Sequence, residues 1–211
     1  MLDTLSEYQR DALVELWNMA INQAAGRLSE LVGRTVELSI PHLRLLDLEG
    51  LRRFLDEEIR PGAPCINQGF EGDFAGNALL IYPRSSAVRL ASVLLGDDRA
   101  VEELSSADQS ALIEVGNIML NSCIGAIGEV LGLPVVFHLP DMVLPARDII
   151  GNVLGGAHWR VPAADADTAV AFLLESEMVV EGADIAGYIA IAMGGDTAAL
   201  LVEHMEQRWL A

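Results

Sequence analysis

The sequence predicts an α/β fold of the α+β kind, in which long helices pack on a mostly antiparallel sheet, and three observations carry that prediction. The 211 residues are 52% hydrophobic and only 5% aromatic, so Ala, Leu, Ile and Val are expected to fill the core. Helix-like and strand-like patterns alternate along the chain. The chain also matches itself at a shift of 99 residues. We therefore expect a single domain, residues 1–211, made of two repeats at about 1–98 and 99–211.

The repeat is clearest over residues 11–41, which align without a gap on residues 110–140. Ten of these positions are identical, where chance would supply roughly two. A second match, of the residues from Gly76 with those from Gly187, needs a larger shift and implies about 12 additional residues in the second half. The repeat predicts two halves related by a pseudo-twofold axis. Each half is expected to run helix, strand, helix, strand, strand, helix.

In the first half, hydrophobic periodicity predicts a long helix over Leu5 to Leu31, and Gly33 is a suitable left-handed cap. A strand over Val36 to Leu46 and a short amphipathic helix over Leu51 to Ile59 follow. The half is predicted to close with a hairpin over Cys65 to Phe74 and Asn77 to Tyr82 and a helix capped by Ser85 or Ser86. The second half is predicted to follow the same plan, with strands at Val135 to Leu139, Thr168 to Val180 and Tyr188 to Met193, a short helix at Leu144 to Leu154, and a last helix capped by Asp196.

Composition narrows the function. The net charge is −18 and all 13 basic residues are Arg, which argues against nucleic acid and anionic membranes as partners and excludes lysine-based catalysis. The first ten residues lack the pattern of a secretory signal, so we expect a cytoplasmic protein. Two isolated cysteines and four scattered histidines predict no metal site. The chemistry must therefore come from carboxylates, amides and hydroxyls.

Each long helix carries a polar stripe on the side opposite its apolar face. At 100° per residue, four polar side chains of the first helix fall within about 60° of one another. The second helix repeats the pattern, so the two stripes are Asp11, Glu15, Asn18 and Asn22, and Ser110, Glu114, Asn117 and Asn121. Asn is unfavourable inside a helix because its side chain competes for the backbone, which favours a functional role over a merely solvated face. We expect both long helices to be exposed on one face of the fold.

The spacing of the stripes is that of a known signature. Asp11, Glu15, Asn18 and Pro41, and in the second half Ser110, Glu114, Asn117 and Pro140, match the pattern D/S-x3-E-x2-N-x22-P. In this the chain resembles the CheC, CheX and FliY phosphatases of bacterial and archaeal chemotaxis, which dephosphorylate the response regulator CheY. The resemblance extends over nearly the whole chain.

The resemblance implies a phosphatase that hydrolyses the aspartyl phosphate of a CheY-type regulator. It implies that Glu15 and Glu114 each pair with a lysine of the regulator, and that Asn18 and Asn117 position the attacking water. Asn22 and Asn121 are then expected to face the partner, while Asp11, Ser110, Pro41 and Pro140 support the site. The chain needs no cofactor of its own, since the regulator is expected to bring Mg²⁺. The deamidase CheD is implied as a second partner, docking at the predicted helix Leu144 to Leu154.

Two intact signatures favour the CheC type over CheX, and the short chain departs from FliY. We expect a monomer, with a dimer as the open alternative. The rival function is an adaptor that binds a response regulator or CheD through the same helix faces without turnover. Retention of both Asn18 and Asn117 favours the enzyme, because a docking surface could keep the two Glu residues and lose the two Asn residues.

Overall fold

The computed structural model describes residues 5–39, 42–59, 61–96, 104–146, 167–180 and 183–209. Within these described residues the helices are α1 (Glu7–Val32), α2 (Leu48–Glu57), α3 (Arg84–Leu95), α4 (Ser106–Leu131) and α5 (Gly195–Trp209). Its strands are β1 (Val36–Leu38), β2 (His42–Asp47), β3 (Cys65–Gly72), β4 (Gly76–Ile81), β5 (Val135–Phe137), β6 (Asp141–Val143), β7 (Val170–Val180) and β8 (Ala183–Met193). The mixture of helices and sheet predicted from the sequence is confirmed.

The two long helices end at the glycines that the sequence indicates, and α1 begins at Glu7, two residues after the predicted start at Leu5. Ser6 and Ser105 each form a capping box with the residue three positions on, which satisfies backbone donors at the start of the helix. Gly33 and Gly132 end the helices in the left-handed conformation, at φ 62° and 71°. Both ends of α1 and α4 are therefore fixed by local interactions.

All strands join one antiparallel sheet in the order β1-β7-β8-β4-β3-β5, with β2 also pairing with β7 and β6 with β3. The early strands β1 and β2 therefore pair with β7 of the second half, and β5 and β6 pair with β3 of the first. This exchange of strands makes the sheet continuous across both halves. The pseudo-twofold relation and the repeat boundary near residues 98 and 99 stay predictions.

The two faces of the sheet belong to different cores. Alternate strand residues such as Ile66, Leu80 and Phe172 pack under α1, α3, α4 and α5, whereas Cys65, Leu79 and Leu173 pack under α2 on the opposite face. Among the described helices, α4 is long and apolar enough to cross a membrane, but 56% of its most apolar window is buried inside the fold. It therefore has the character of a core helix.

Several predicted boundaries were wrong. The expected strand Val36 to Leu46 is two strands, β1 and β2. Helix α2 begins at Leu48 because the Asp47 side chain accepts a hydrogen bond from the Gly50 N–H, and β8 begins at Ala183, earlier than predicted.

The predicted helix caps also differ. Helix α3 begins after Pro83, whose carbonyl accepts from the Ala87 N–H, so neither Ser85 nor Ser86 is the cap. Likewise Asp196 lies within the first turn of α5 rather than before it. Most of the predicted helix at Leu144 to Leu154 lies outside the described residues.

Candidate functional site

The two polar stripes lie on antiparallel helices. The end of α1, at Leu31 and Val32, and the start of α4, at Ala111 and Glu114, line one cleft of about 220 Å³. Near the middle of the pair, the Cys123 thiol of α4 donates to the Ala20 carbonyl of α1 at 3.7 Å. The two Glu–Asn pairs therefore lie toward opposite ends of the helix pair and form two separate surfaces.

In the first half, the stripe is open to solvent. Asp11, Glu15 and Asn22 are exposed, and Asn18 is half-buried. The Asn18 Oδ1 atom is buried and accepts no hydrogen bond from any described residue. The structure thus brings Glu15 and Asn18 to one surface as predicted, but no described side chain fixes the orientation of the Asn18 amide.

In the second half, Glu114 is exposed and Asn117 is half-buried, as in the first half. Here, however, the Asn117 Oδ1 atom accepts two hydrogen bonds, from Gln68 Nε2 at 3.1 Å and from Asn121 Nδ2 at 2.9 Å. The Ser110 hydroxyl donates to the Ser106 carbonyl at 2.9 Å, so it is satisfied within its own helix. The two halves therefore share the same Glu and Asn residues but differ in how the central Asn is held.

Gln68 of β3 is a site residue that the sequence analysis missed. It is 1% exposed, and its Nε2 donates both to Asn117 Oδ1 and, at 2.9 Å, to the His138 carbonyl. A signal was present, because Asn67 and Gln68 are adjacent amides in the first half of a predicted strand, and alternation directs one to each face of the sheet. The sequence does not say which helix packs over Gln68, because that depends on tertiary packing.

Asn121 is hydrogen-bonded within the protein, and its role in facing the partner stays a prediction. It is half-buried, donates to Asn117, and has a buried Oδ1 without a donor among the described residues. Its counterpart Asn22 is exposed. Asn121 therefore acts on Asn117 within the protein.

A break in the sheet brings the His138 carbonyl to Gln68. Phe137 pairs with Phe70 and Asp141 with Asn67, so three residues between β5 and β6 lie opposite two residues of β3. Such a bulge releases ladder positions and redirects neighbouring groups. Pro140 lies in this bulge and has no N–H to donate. The register against β7 shifts in the same way between Leu38 and His42, and Pro41 itself lies outside the described residues.

Packing beneath the helices also differs between the halves. Gly116 of α4 lies against Ile66 of β3, and a Cβ added there would be 2.7 Å from Ile66 Cγ2. The aligned residue of α1 is Trp17, which is fully buried and contacts the Phe172 ring at 5.9 Å between centroids. A glycine lets α4 lie close to β3, whereas an indole acts as a spacer under α1. This difference explains why Asn117 can reach a strand side chain.

The arrangement limits the available chemistry. Within the described part of the chain, no group of three or more His, Cys, Asp or Glu side chains could hold a metal ion. Burial raises the pKa of the Cys123 thiol to about 12, and burial also raises the pKa of the Cys65 thiol, so neither is poised as a nucleophile. What the surfaces offer is an exposed carboxylate beside an amide, which suits a site completed by a docking partner.

Comparisons with known proteins find relatives that are named as phosphatases. No protein-family model matches the chain. The chain is 28% identical over 153 residues to the CheY-P phosphatase CheC of Bacillus subtilis, with 71% of each protein covered. It is 26% identical over 145 residues to the flagellar motor switch phosphatase FliY of the same organism, covering 68% of this chain and 37% of FliY.

Solved structures share the fold. FliY of Thermotoga maritima superposes with a TM-score of 0.75 at 19% identity, over 97% of this chain and 99% of that one. The middle domain of FliM from H. pylori gives 0.65 at 11% identity, over 95% and 99%. A chain of the CheX–CheY–BeF3–Mg²⁺ complex from Borrelia burgdorferi gives 0.51 at 15% identity, over 83% and 95%. The same fold is thus found in FliY, in the middle domain of FliM and in a chain of the CheX–CheY complex.

Proposed function

We propose that this chain, which fits the CheC, CheX and FliY family, is a phosphatase that removes the phosphoryl group from the aspartyl phosphate of a CheY-like response regulator. The observation that carries the proposal is the exposed Glu beside a half-buried Asn on each long helix. The named CheY-P phosphatases among its relatives favour the enzyme over the adaptor.

The open shape of the site supports a macromolecular substrate. Glu15 and Glu114 lie on helix surfaces, and the cleft of about 220 Å³ next to Glu114 is lined mainly by aliphatic side chains. A net charge of −18 would repel a free phosphate ester, so the phosphoryl group must arrive on a protein whose own cations neutralise it. We therefore assign the Glu residues to docking against a lysine of the regulator.

The reaction needs little covalent help from this chain. Water attacks phosphorus, the bond between phosphorus and the aspartyl oxygen breaks, and inorganic phosphate and a free carboxylate result. An acyl phosphate is already reactive, so positioning of the water and neutralisation of charge govern the rate. We assign the positioning to Asn18 and Asn117, and we expect Mg²⁺ to be supplied by the regulator. A cytoplasmic location would follow from that substrate.

Phosphate release from a purified, phosphorylated CheY-like regulator tests the proposal. Wild-type chain should accelerate the loss of phosphate well beyond the regulator's own decay, and the double variant Asn18→Ala with Asn117→Ala should abolish the acceleration. Gln207→Ala, which removes an exposed amide from α5, is the matched control and should behave as wild type.

Binding separates the enzyme from the adaptor. The double Asn variant should still bind the regulator activated with beryllofluoride and Mg²⁺, because the docking carboxylates are intact. If the wild type binds this form but never exceeds the regulator's own decay, the phosphatase proposal fails and the adaptor stands.

A further inference from the structure

We infer that Gln68 is a positioning residue that holds the Asn117 amide with its N–H groups outward, so that the second-half site is preorganised for turnover and the first-half site is not. This inference rests on the proposed phosphatase function. It assigns a role to a buried strand residue that lies outside the signature, and it predicts unequal activity at two sites that share the same Glu and Asn.

The orientation of Gln68 is fixed by a backbone group. The His138 carbonyl can only accept, and it faces the Gln68 side chain at 2.9 Å, so the nitrogen of that amide must be on this side. The opposite orientation would place two oxygens against each other inside the fold, at a cost comparable to a lost buried hydrogen bond. Gln68 is 1% exposed, so water is not available as a substitute donor.

Gln68 in turn fixes Asn117. The same nitrogen lies 3.1 Å from Asn117 Oδ1, and Asn121 supplies a second donor to that oxygen at 2.9 Å. Two donors occupy both lone pairs of the Asn117 oxygen. The amide can therefore meet a docked phosphoryl group only through its Nδ2 hydrogens, which can hold the oxygen of the attacking water but cannot take its proton. Orientation fixed before docking removes an entropic cost from the reaction.

The first-half site lacks this arrangement. Phe70 pairs with Phe137 as Met178 pairs with Leu38, so by register the strand position that corresponds to Gln68 is 176. The residue at that position is Ser rather than Gln. Consistent with this, the buried Asn18 Oδ1 has no donor among the described residues. Its amide must be oriented after the regulator has docked.

The test uses chains with one working site. In the Asn18→Ala background, where only the second-half site works, Gln68→Leu should lower kcat for dephosphorylation about five- to tenfold and leave KM unchanged, because a positioning interaction is lost rather than a docking one. In the Asn117→Ala background the same substitution should produce no further loss. Asn67→Leu is the matched control, since Asn67 is equally buried and its amide donates to Asp141 on the other face of the sheet. It should leave kcat in the Asn18→Ala background unchanged.

Two kinetic results would overturn the inference. One is an unchanged kcat for Gln68→Leu in the Asn18→Ala background. The other is an equal loss from Gln68→Leu in both backgrounds or from Asn67→Leu, which would mean that the fold rather than the site had been altered.

A second measurement keeps the positioning role separate from the proposed function. The side-chain NH₂ resonances of Asn117 can be assigned in wild type by their loss in Asn117→Ala. They should shift and average toward solvent-exposed values in Gln68→Leu but not in Asn67→Leu. If wild type shows no phosphatase activity while these resonances respond as expected, the function fails and the positioning role stands. If they do not respond, the positioning role is wrong whatever the activity.

Discussion

Gly116 of α4 lies so close to Ile66 of β3 that a Cβ at position 116 would be 2.7 Å from Ile66 Cγ2. The contact places α4 directly on β3, where the next side chain on the same face of the sheet is Gln68, the donor to Asn117 at 3.1 Å. In α1 the aligned position is Trp17, whose ring fills the space between helix and sheet. One glycine therefore couples the packing of α4 to the geometry of the second-half site.

Gly116→Ala should lower both stability and activity. The added methyl group overlaps Ile66 and must push α4 away from β3, so we expect the free energy of unfolding to fall by about 1–3 kcal/mol. In the Asn18→Ala background, kcat should fall because Asn117 moves away from Gln68. Chemical denaturation and phosphate release measure the two effects.

Gly125→Ala on the same helix is the control for Gly116→Ala. A Cβ at position 125 would meet nothing within 4 Å. Because alanine has a higher helix propensity than glycine, the free energy of unfolding should rise by about 0.5–1 kcal/mol. Equal effects of the two substitutions would contradict the packing argument.

The exposed carboxylates should control docking rather than turnover. Glu114→Ala in the Asn18→Ala background should raise KM about tenfold with kcat largely retained, since an ion pair with the regulator is lost. The difference between variant and parent should shrink as salt is added, because salt screens exposed charges. Kinetics over a range of regulator concentrations and ionic strengths provide the measurement.

Glu57→Ala is the matched control for Glu114→Ala. Glu57 is an exposed carboxylate on α2, which covers the opposite face of the sheet. The Glu57→Ala substitution changes the net charge by the same amount as Glu114→Ala but leaves α1 and α4 unaltered, so KM should not change. A tenfold rise in KM for Glu57→Ala as well would mean that net charge, not a specific ion pair, governs binding.

Features that depend on local interactions, or on spacing along one helix, could be predicted from the sequence. The ends of α1 and α4 follow from Gly33 and Gly132, and the stripe of Glu114 and Asn117 follows from helical periodicity. Gln68 could not be assigned in the same way, because its partners lie 49 and 70 positions away along the chain. The identity of the neighbouring element is decided by the exchange of strands between the halves.

The difference between Trp17 and Gly116 shows the same limit. From the sequence it is one mismatch among buried residues of a repeat, whereas in the fold it changes how closely a helix approaches the sheet. Repetition predicted two equivalent sites because it reports shared residues. Whether the two sites are equivalent also depends on the side chains that pack between each helix and the sheet, and these side chains differ between the halves.

The two outer asparagines of the stripes should have unequal effects. Asn121→Ala removes one of the two donors to Asn117 Oδ1, so kcat in the Asn18→Ala background should fall about two- to fivefold. Asn22→Ala in the Asn117→Ala background should have a smaller effect, because Asn22 is exposed and Asn18 Oδ1 accepts no hydrogen bond from it. Single-turnover rates of phosphate loss compare the two. A larger effect from Asn22→Ala would contradict the asymmetry of the sites.

The two thiols provide a test of the core that is independent of activity. Cys65 and Cys123 are fully buried, and burial raises the pKa of both thiols, in Cys123 to about 12 from the ordinary value of 9.0. A thiol-specific reagent at pH 8 should label neither cysteine in the native protein and both after denaturation. Stability should also fall as pH rises from about 9 toward 12, because over that interval the thiols of the unfolded chain lose their protons while those of the folded chain keep them. The Cys65→Ala, Cys123→Ala double variant should lose part of this dependence in urea titrations at pH 8 and pH 10. Rapid labelling of either thiol in the native state would show that the core beneath α4 or α2 opens far more readily than its packing indicates.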